Sequence, residues 1–256
     1  MKDFAKFTIG CFIALQALTV QAQGIVPKHV QLGQDLVLNI PPENNEYSNS
    51  RRLVRFPGDL FSGGYTVHTD CTGFVEAMLD RAYGYQPTFS TKQFKDRFSI
   101  IDYVDGIERD ESFKRIPRVD DLRVGDVVAW KLLKKPATRR TNGHIVLVSG
   151  TPKKLETSRR SGLTQWDIPI LDSTTGPTGP DDTRMVKGEV VSEDSLEGAE
   201  KSAKQTGAGS GRIQLYSDAV GNLVAMSYSF HNSKIYNHGD QRYFVMGRLP
   251  EKVARQ

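Results

Sequence analysis

Cys71 and His144 are the two side chains whose types and settings suit a nucleophile and its base. Cys71 opens a segment, 70–83, in which Phe74, Val75, Met78, Leu79 and Ala82 share one apolar stripe. That spacing predicts a helix, and Gly84 is placed to end it. The first turn of a helix has unpaired N–H groups and a partial positive charge. Both favour a thiolate, and the Cys71 N–H lies where an oxyanion would form on a carbonyl attacked by the sulfur. Asp70 would oppose the anion if it faced the sulfur, so it is expected to turn away and cap the helix. Thr72 and Gly73 are small and leave room for a substrate. The competing reading of Cys71 is a small core residue.

His144 follows Asn142-Gly143 and opens an apolar strand, Ile145-Val146-Leu147-Val148. A base at a strand entrance can lean into a cleft while a rigid element fixes it. His68 lies three residues before Cys71 and is the rival base, or else shapes the cleft. His29, His231 and His238 sit in polar or irregular surroundings and read as surface residues. Asp172 ends the run Ile168-Pro169-Ile170-Leu171 and could orient the imidazole if its strand lies beside that of His144. Asp167 is the alternative orienter, and a turn-forming Asp-Ser-Thr is the bland reading. Asp70, Thr72, Gly73, His68 and Trp130 complete the candidate site as substrate contacts. The histidines and the thiol lack metal-ligand spacing, and no phosphate-cradling glycine loop follows a strand. Gly207-Ala208-Gly209-Ser210-Gly211 reads as flexible linker. No cofactor is expected.

The chain has 256 residues and an ordinary globular composition, 25% charged and 38% hydrophobic. Lys2 and Lys6 precede an apolar run, Phe7 to Val20, and the small residue Ala22 stands where a signal peptidase would cut. Residues 1–22 are therefore expected to be a secretory signal; the run falls short of the roughly 20 residues that span a bilayer. No later segment qualifies as an integral membrane span. Of two cysteines, Cys11 would leave with the signal and Cys71 would remain as a lone thiol, without an internal disulfide partner. The formal charge of +4 would become +3 with the loss of Lys2, Lys6 and Asp3. That excess suits an anionic envelope polymer and gives no case for nucleic acid.

Residues 23–58 read as an arm broken by Pro27, Pro41, Pro42 and Pro57, with one short element at Leu32 to Ile40. The hydrolase domain is expected over 59–256, with a flexible excursion at about 174–211. Lys131 to Arg140 is a basic loop. Strands are expected at Val127 to Trp130, His144 to Val148, Trp166 to Ser173, Arg212 to Ser217, Leu223 to Phe230 and Tyr243 to Arg248, with a hairpin at Val220-Gly221-Asn222. A helix followed by five or six strands without crossover helices implies α+β with an antiparallel sheet.

Three stretches resemble a known family. Phe61-Ser62-Gly63-Gly64 with Asp70-Cys71-Thr72-Gly73-Phe74-Val75 is similar to the GG…DC(S/T)GF signature of the NlpC-type papain-like cysteine peptidases. Leu122-Arg123-Val124-Gly125-Asp126 through Trp130, and Gly143-His144-Ile145-Val146, resemble the family's next two segments in order. The resemblance implies a papain-like fold, a nucleophile-bearing helix packed on about five to six antiparallel strands. It implies Cys71 as nucleophile, His144 as base and Asp172 as orienter, cleaving amide bonds in peptidoglycan stem peptides in the periplasm or outside the cell. The family carries a Tyr shortly before the Gly-Gly; Leu60 and Phe61 stand there. Trp166 with Asp172-Ser173-Thr174 also resembles the transglutaminase-like branch, whose thioester passes to an amine. The third reading is a catalytically silent envelope-binding protein.

Overall fold

The computed structural model describes residues 26–60, 63–134, 142–185, 205–228 and 234–254. Residues 1–25, which include the expected signal, together with Phe61-Ser62, most of the basic loop, residues 186–204 of the excursion and His231, lie outside the described residues.

In chain order the elements are α1 (Lys28–Asn39), β1 (Asn45–Tyr47), β2 (Leu53–Arg55), β3 (Thr66–Thr69), α2 (Cys71–Tyr83) and α3 (Ile100–Glu108). Then follow β4 (Lys114–Arg115), β5 (Val127–Leu132), β6 (Gly143–Val148), β7 (Lys153–Lys154), β8 (Thr164–Thr174) and β9 (Gly207–Ser217). The chain closes with β10 (Leu223–Ser227), β11 (Tyr236–Asn237), β12 (Arg242–Arg248) and α4 (Glu251–Ala254).

The fold is α+β and rich in strand, but it is not the papain-like sheet of five or six strands that the sequence predicts. Nine strands form one antiparallel sheet in the order β11-β10-β9-β8-β6-β5-β12-β4, with β7 paired to β8. A separate sheet of three, β1-β3-β2, comes from residues read as an arm and from the stretch before Cys71. In it β1 runs parallel to β3, and β2 antiparallel. The three strands beyond the expected six are β4, β7 and β11, of two residues each and too short for a period-2 signal. β8 and β9, both expected, are longer than their patterns and pair over eleven residues, Thr164↔Ser217 to Thr174↔Gly207.

Both faces of the large sheet are covered. On β5 and β6, Val127, Ala129, Ile145 and Leu147 face the helices and pack with Phe74, Met78, Tyr103 and Ile107. Val128, Trp130, Val146 and Val148 face a second core with Ile168, Ile213 and Leu215. Burial on both sides is why these strands read as continuous apolar runs.

Two expectations fail for reasons visible in this packing. His29 is a buried residue of α1: its Nε2 bonds the Gly125 carbonyl and its Nδ1 the Tyr83 hydroxyl, each at 3.0 Å. Gly125, at φ +95°, makes the approach feasible, since a Cβ there would stand 3.1 Å from the imidazole. The glycine run 207–211 is no linker but the first half of β9. Gly209 and Gly211 lie under the segment 178–184; a Cβ at Gly211 would come within 2.1 Å of the Thr178 hydroxyl. The glycines are bare so that this segment can lie directly on the sheet.

Candidate active site

Cys71 is the first residue of α2 and is 6% exposed. Its helix begins where the sequence places it. Asp70 caps it, accepting from the Gly73 N–H at 2.8 Å and the Thr72 hydroxyl at 3.0 Å. Gly84 closes it in the left-handed conformation at φ 59°. Gly73 lets the cap fold over, because a Cβ there would sit 2.2 Å from the Thr69 hydroxyl.

The first turn is also tied from outside. Arg52 donates to the Thr72 hydroxyl at 2.6 Å and to the Phe98 carbonyl at 3.2 Å, and pairs with Glu76. Glu76 in turn accepts from Tyr103 at 3.1 Å. These contacts lock α2 to β2 and α3, so the sulfur sits on a braced platform. They also reassign three residues predicted to touch substrate: Asp70, Thr72 and Gly73 hold the helix start.

His144, the second residue of β6, lies opposite Trp130 of β5 in the ladder. The two rings stand 5.3 Å apart, tilted by 57°. Trp130 is fully buried, so it acts as a wall for the imidazole instead of a substrate contact. His144 Nε2 lies 2.7 Å from Asp172 Oδ2. With Nε2 given to the carboxylate, Nδ1 is the nitrogen left for the Cys71 sulfur, to which the ring also hydrogen-bonds. Burial alone would push the imidazole toward neutrality. The charge of the Cys71 sulfur and the bonds to Asp172 and Cys71 outweigh it, so the ring holds its proton well above the usual histidine range.

Asp172 is wholly buried on β8. Burial pushes its carboxyl up, but Arg184 and His144 beside it pull it below the usual carboxylate range. Asp167 is excluded from this role. It lies on the same unbroken strand at odd separation from Asp172, hence on the opposite face, and pairs with Arg212 and Gln214. His68 is no rival base: it stands 3.4 Å from Glu46 and 3.5 Å from Arg51 on β3.

Thus the structure brings Cys71, His144 and Asp172 together, and four functional neighbours join them that sequence reasoning missed. Tyr47, at the end of β1 and paired with Thr69, has a phenol that feels the charges of Cys71, Asp70 and Asp172. Burial, ahead of those charges, keeps it protonated, and its hydroxyl donates to Asn49 Oδ1 at 3.2 Å. Its residue run, Asn45-Glu46-Tyr47, carries no period or motif that marks it. Arg52 lay in the stretch 23–58 that reads as an arm. Arg184 and Asp182 lay in the excursion; Arg184 Nη1 is 2.8 Å from Asp172 Oδ1 and Nη2 is 2.6 Å from Asp182 Oδ2. The Asp172 contact lies off the hydrogen-bond direction, so charge holds Oδ1 more than an aligned N–H does. The bare glycines of β9 were the available signal, since alternate glycines in a strand mark a close approach.

Among the described residues no group of three or more His, Cys, Asp or Glu could hold a metal ion, and no helix is long and apolar enough to cross a membrane. No family model matches the chain, and no solved structure matches it. The chain is similar to Uncharacterized protein R653 of Acanthamoeba polyphaga mimivirus, 27% identical over 193 residues that make up 72% of this chain and 79% of that protein.

Proposed function

We propose that the protein is a cysteine hydrolase of amide bonds, with Cys71 as nucleophile, His144 as base and Asp172 as orienter. The observation that carries this reading is the meeting of one thiol, one imidazole and one buried carboxylate from three distant segments, in the order sulfur, ring, carboxylate.

In this reading the Cys71 sulfur, as thiolate beside the His144 imidazolium, attacks the amide carbon. The Cys71 N–H at the helix start faces the oxyanion. The tetrahedral intermediate collapses as the imidazolium gives its proton to the leaving amine, which departs, and a thioester remains. Water then gives a proton to the neutral imidazole, adds to the thioester carbon and expels the thiolate with the carboxylic acid. Asp172 keeps the ring in one tautomer and supports its charge throughout.

The substrate class we propose is the peptide of peptidoglycan stems, met outside the cytoplasm. It rests on the resemblance of the Asp70–Val75, Leu122–Trp130 and Gly143–Val148 segments to NlpC-type peptidases and on the signal-like residues 1–22. The test is incubation of purified wall fragments with the protein, with and without an added amine. New free amino termini, absent with Cys71→Ala, support hydrolysis. Incorporation of the amine would move the reading to acyl transfer. Neither product from a folded protein would leave it without a substrate-level basis.

A further inference from the structure

We propose that Arg184 is a positioning residue of this site: its guanidinium keeps Asp172 ionised and aimed, so that His144 can carry its proton beside the sulfur. This rests on the hydrolase reading above.

A carboxyl as deeply buried as that of Asp172 would take up a proton if left alone, and a neutral acid supports an imidazolium poorly. Arg184 is itself sealed from solvent and stands 2.8 Å from the Asp172 oxygen that His144 does not use. It has a second anion of its own. Asp182 meets it at 2.6 Å and 2.8 Å, and is fixed in turn by the N–H and hydroxyl of Thr178 at 2.8 Å and 2.9 Å. Two carboxylates and two cations thus alternate: Asp182, Arg184, Asp172, His144.

The sheet is shaped to receive this arrangement. A Cβ on Gly209, the cross-strand partner of Asp172, would lie 2.6 Å from Arg184 Nε. The Gly207 carbonyl accepts from Arg184 at 3.0 Å. Burying such a group is not a general route to stability, since apolar side chains of equal volume serve as well. Its position, ending on the carboxylate that orients the base, is what gives it a task. The other groups facing the site are Tyr47 from β1 and Asp70 at the helix cap. Trp130 from β5 carries no charge.

The test is the rate of Cys71 alkylation by iodoacetamide in the full chain, at pH 5 and pH 8, read by mass spectrometry beside a thermal melt. In Arg184→Gln, Asp172 takes up its proton at higher pH. The rate relative to wild type should then be about tenfold lower at pH 5 than at pH 8. Arg184→Lys keeps the charge and should restore most of the pH 5 rate. A merely structural role would lower the melting temperature and leave the pH 5 to pH 8 ratio alone; that result in a folded variant overturns the proposal, as does an equal effect of Gln and Lys. Should Arg184→Gln not fold, Gly209→Ala displaces the guanidinium from Asp172, since its Cβ would lie 2.6 Å from Arg184 Nε. The rate relative to wild type at pH 5 should then fall below that at pH 8, and an unchanged ratio in a folded variant overturns the proposal. A wild-type Cys71 no faster than free cysteine would fail the hydrolase reading; a fast wild type with an unmoved ratio fails this inference alone.

Discussion

At the scale of residues, two buried histidines show how surroundings decide chemistry. His29 meets only neutral partners, a carbonyl and a phenol, and burial lowers it to about 4. His144 meets a sulfur and a carboxylate, and it is raised well above 6.5. A nitrogen-15 NMR titration should therefore show one ring neutral down to near pH 4 and another still protonated well above pH 6.5. Both rings titrating near 6.5 would refute the placement of each. Asp172→Asn would leave the ring in place but turn a donor toward Nε2, and should lower kcat by roughly 10²- to 10⁴-fold on whichever amide is cleaved. A loss below about threefold would remove Asp172 from the mechanism.

At the scale of elements, α2 was legible because each of its signals is local. The apolar stripe, the capping Asp70 and the closing Gly84 all lie within fifteen residues of one another. The strand of His144 was legible for the same reason. Tyr47, Arg52 and Arg184 were not, because only pairings far along the chain give them work: β1 on β3, β2 beside α2, and the 178–184 segment on β9. Gly211→Ala tests the last pairing. Its Cβ would meet Thr178 and Asp182, so the segment must shift, at a cost of about 1–3 kcal/mol in urea unfolding and with slower alkylation of Cys71. An alanine variant of full stability and reactivity would show that the segment does not lie there.

Docking of α1 makes a separate prediction, with its own sign. The folded-state value for His29 is depressed, so between about 4 and 6.5 the unfolded chain binds more protons than the folded one. Its stability contribution is full above pH 6.5 and is lost as pH falls toward 4, by about 3 kcal/mol in all. His29→Gln, which keeps a donor for the Gly125 carbonyl, should flatten that slope in urea titrations at pH 7 and pH 5. An unchanged slope would place His29 outside the core. His144 has the opposite sign: its contribution is present below 6.5 and declines as pH rises through its raised value.

For the whole molecule, the broad sheet is the frame on which both cores depend. β6 and β8 lie at its middle and carry His144 and Asp172, while α2 brings Cys71 from the helical face. Amides of β5, β6 and β8 should be the slowest in hydrogen exchange, and those of β4 and β11 at the two ends the fastest. Fast exchange in β6 would mean that the base has no rigid support. The class, α+β, could be read from the order of elements, but sheet width could not. Two-residue strands have no pattern, and a glycine-rich strand imitates a linker until its partner is known.

The central claim is that the Cys71 sulfur and the His144 ring form one ionised pair. Its most direct test is the rate of Cys71 alkylation at pH 6 and pH 8, in the wild type and in His144→Ala. A free thiol slows by roughly eightyfold between those values. The account predicts a wild-type rate that falls by less than about tenfold, and a His144→Ala rate that falls as a free thiol does. A wild-type protein that follows the free thiol, or a variant that follows the wild type, would contradict it.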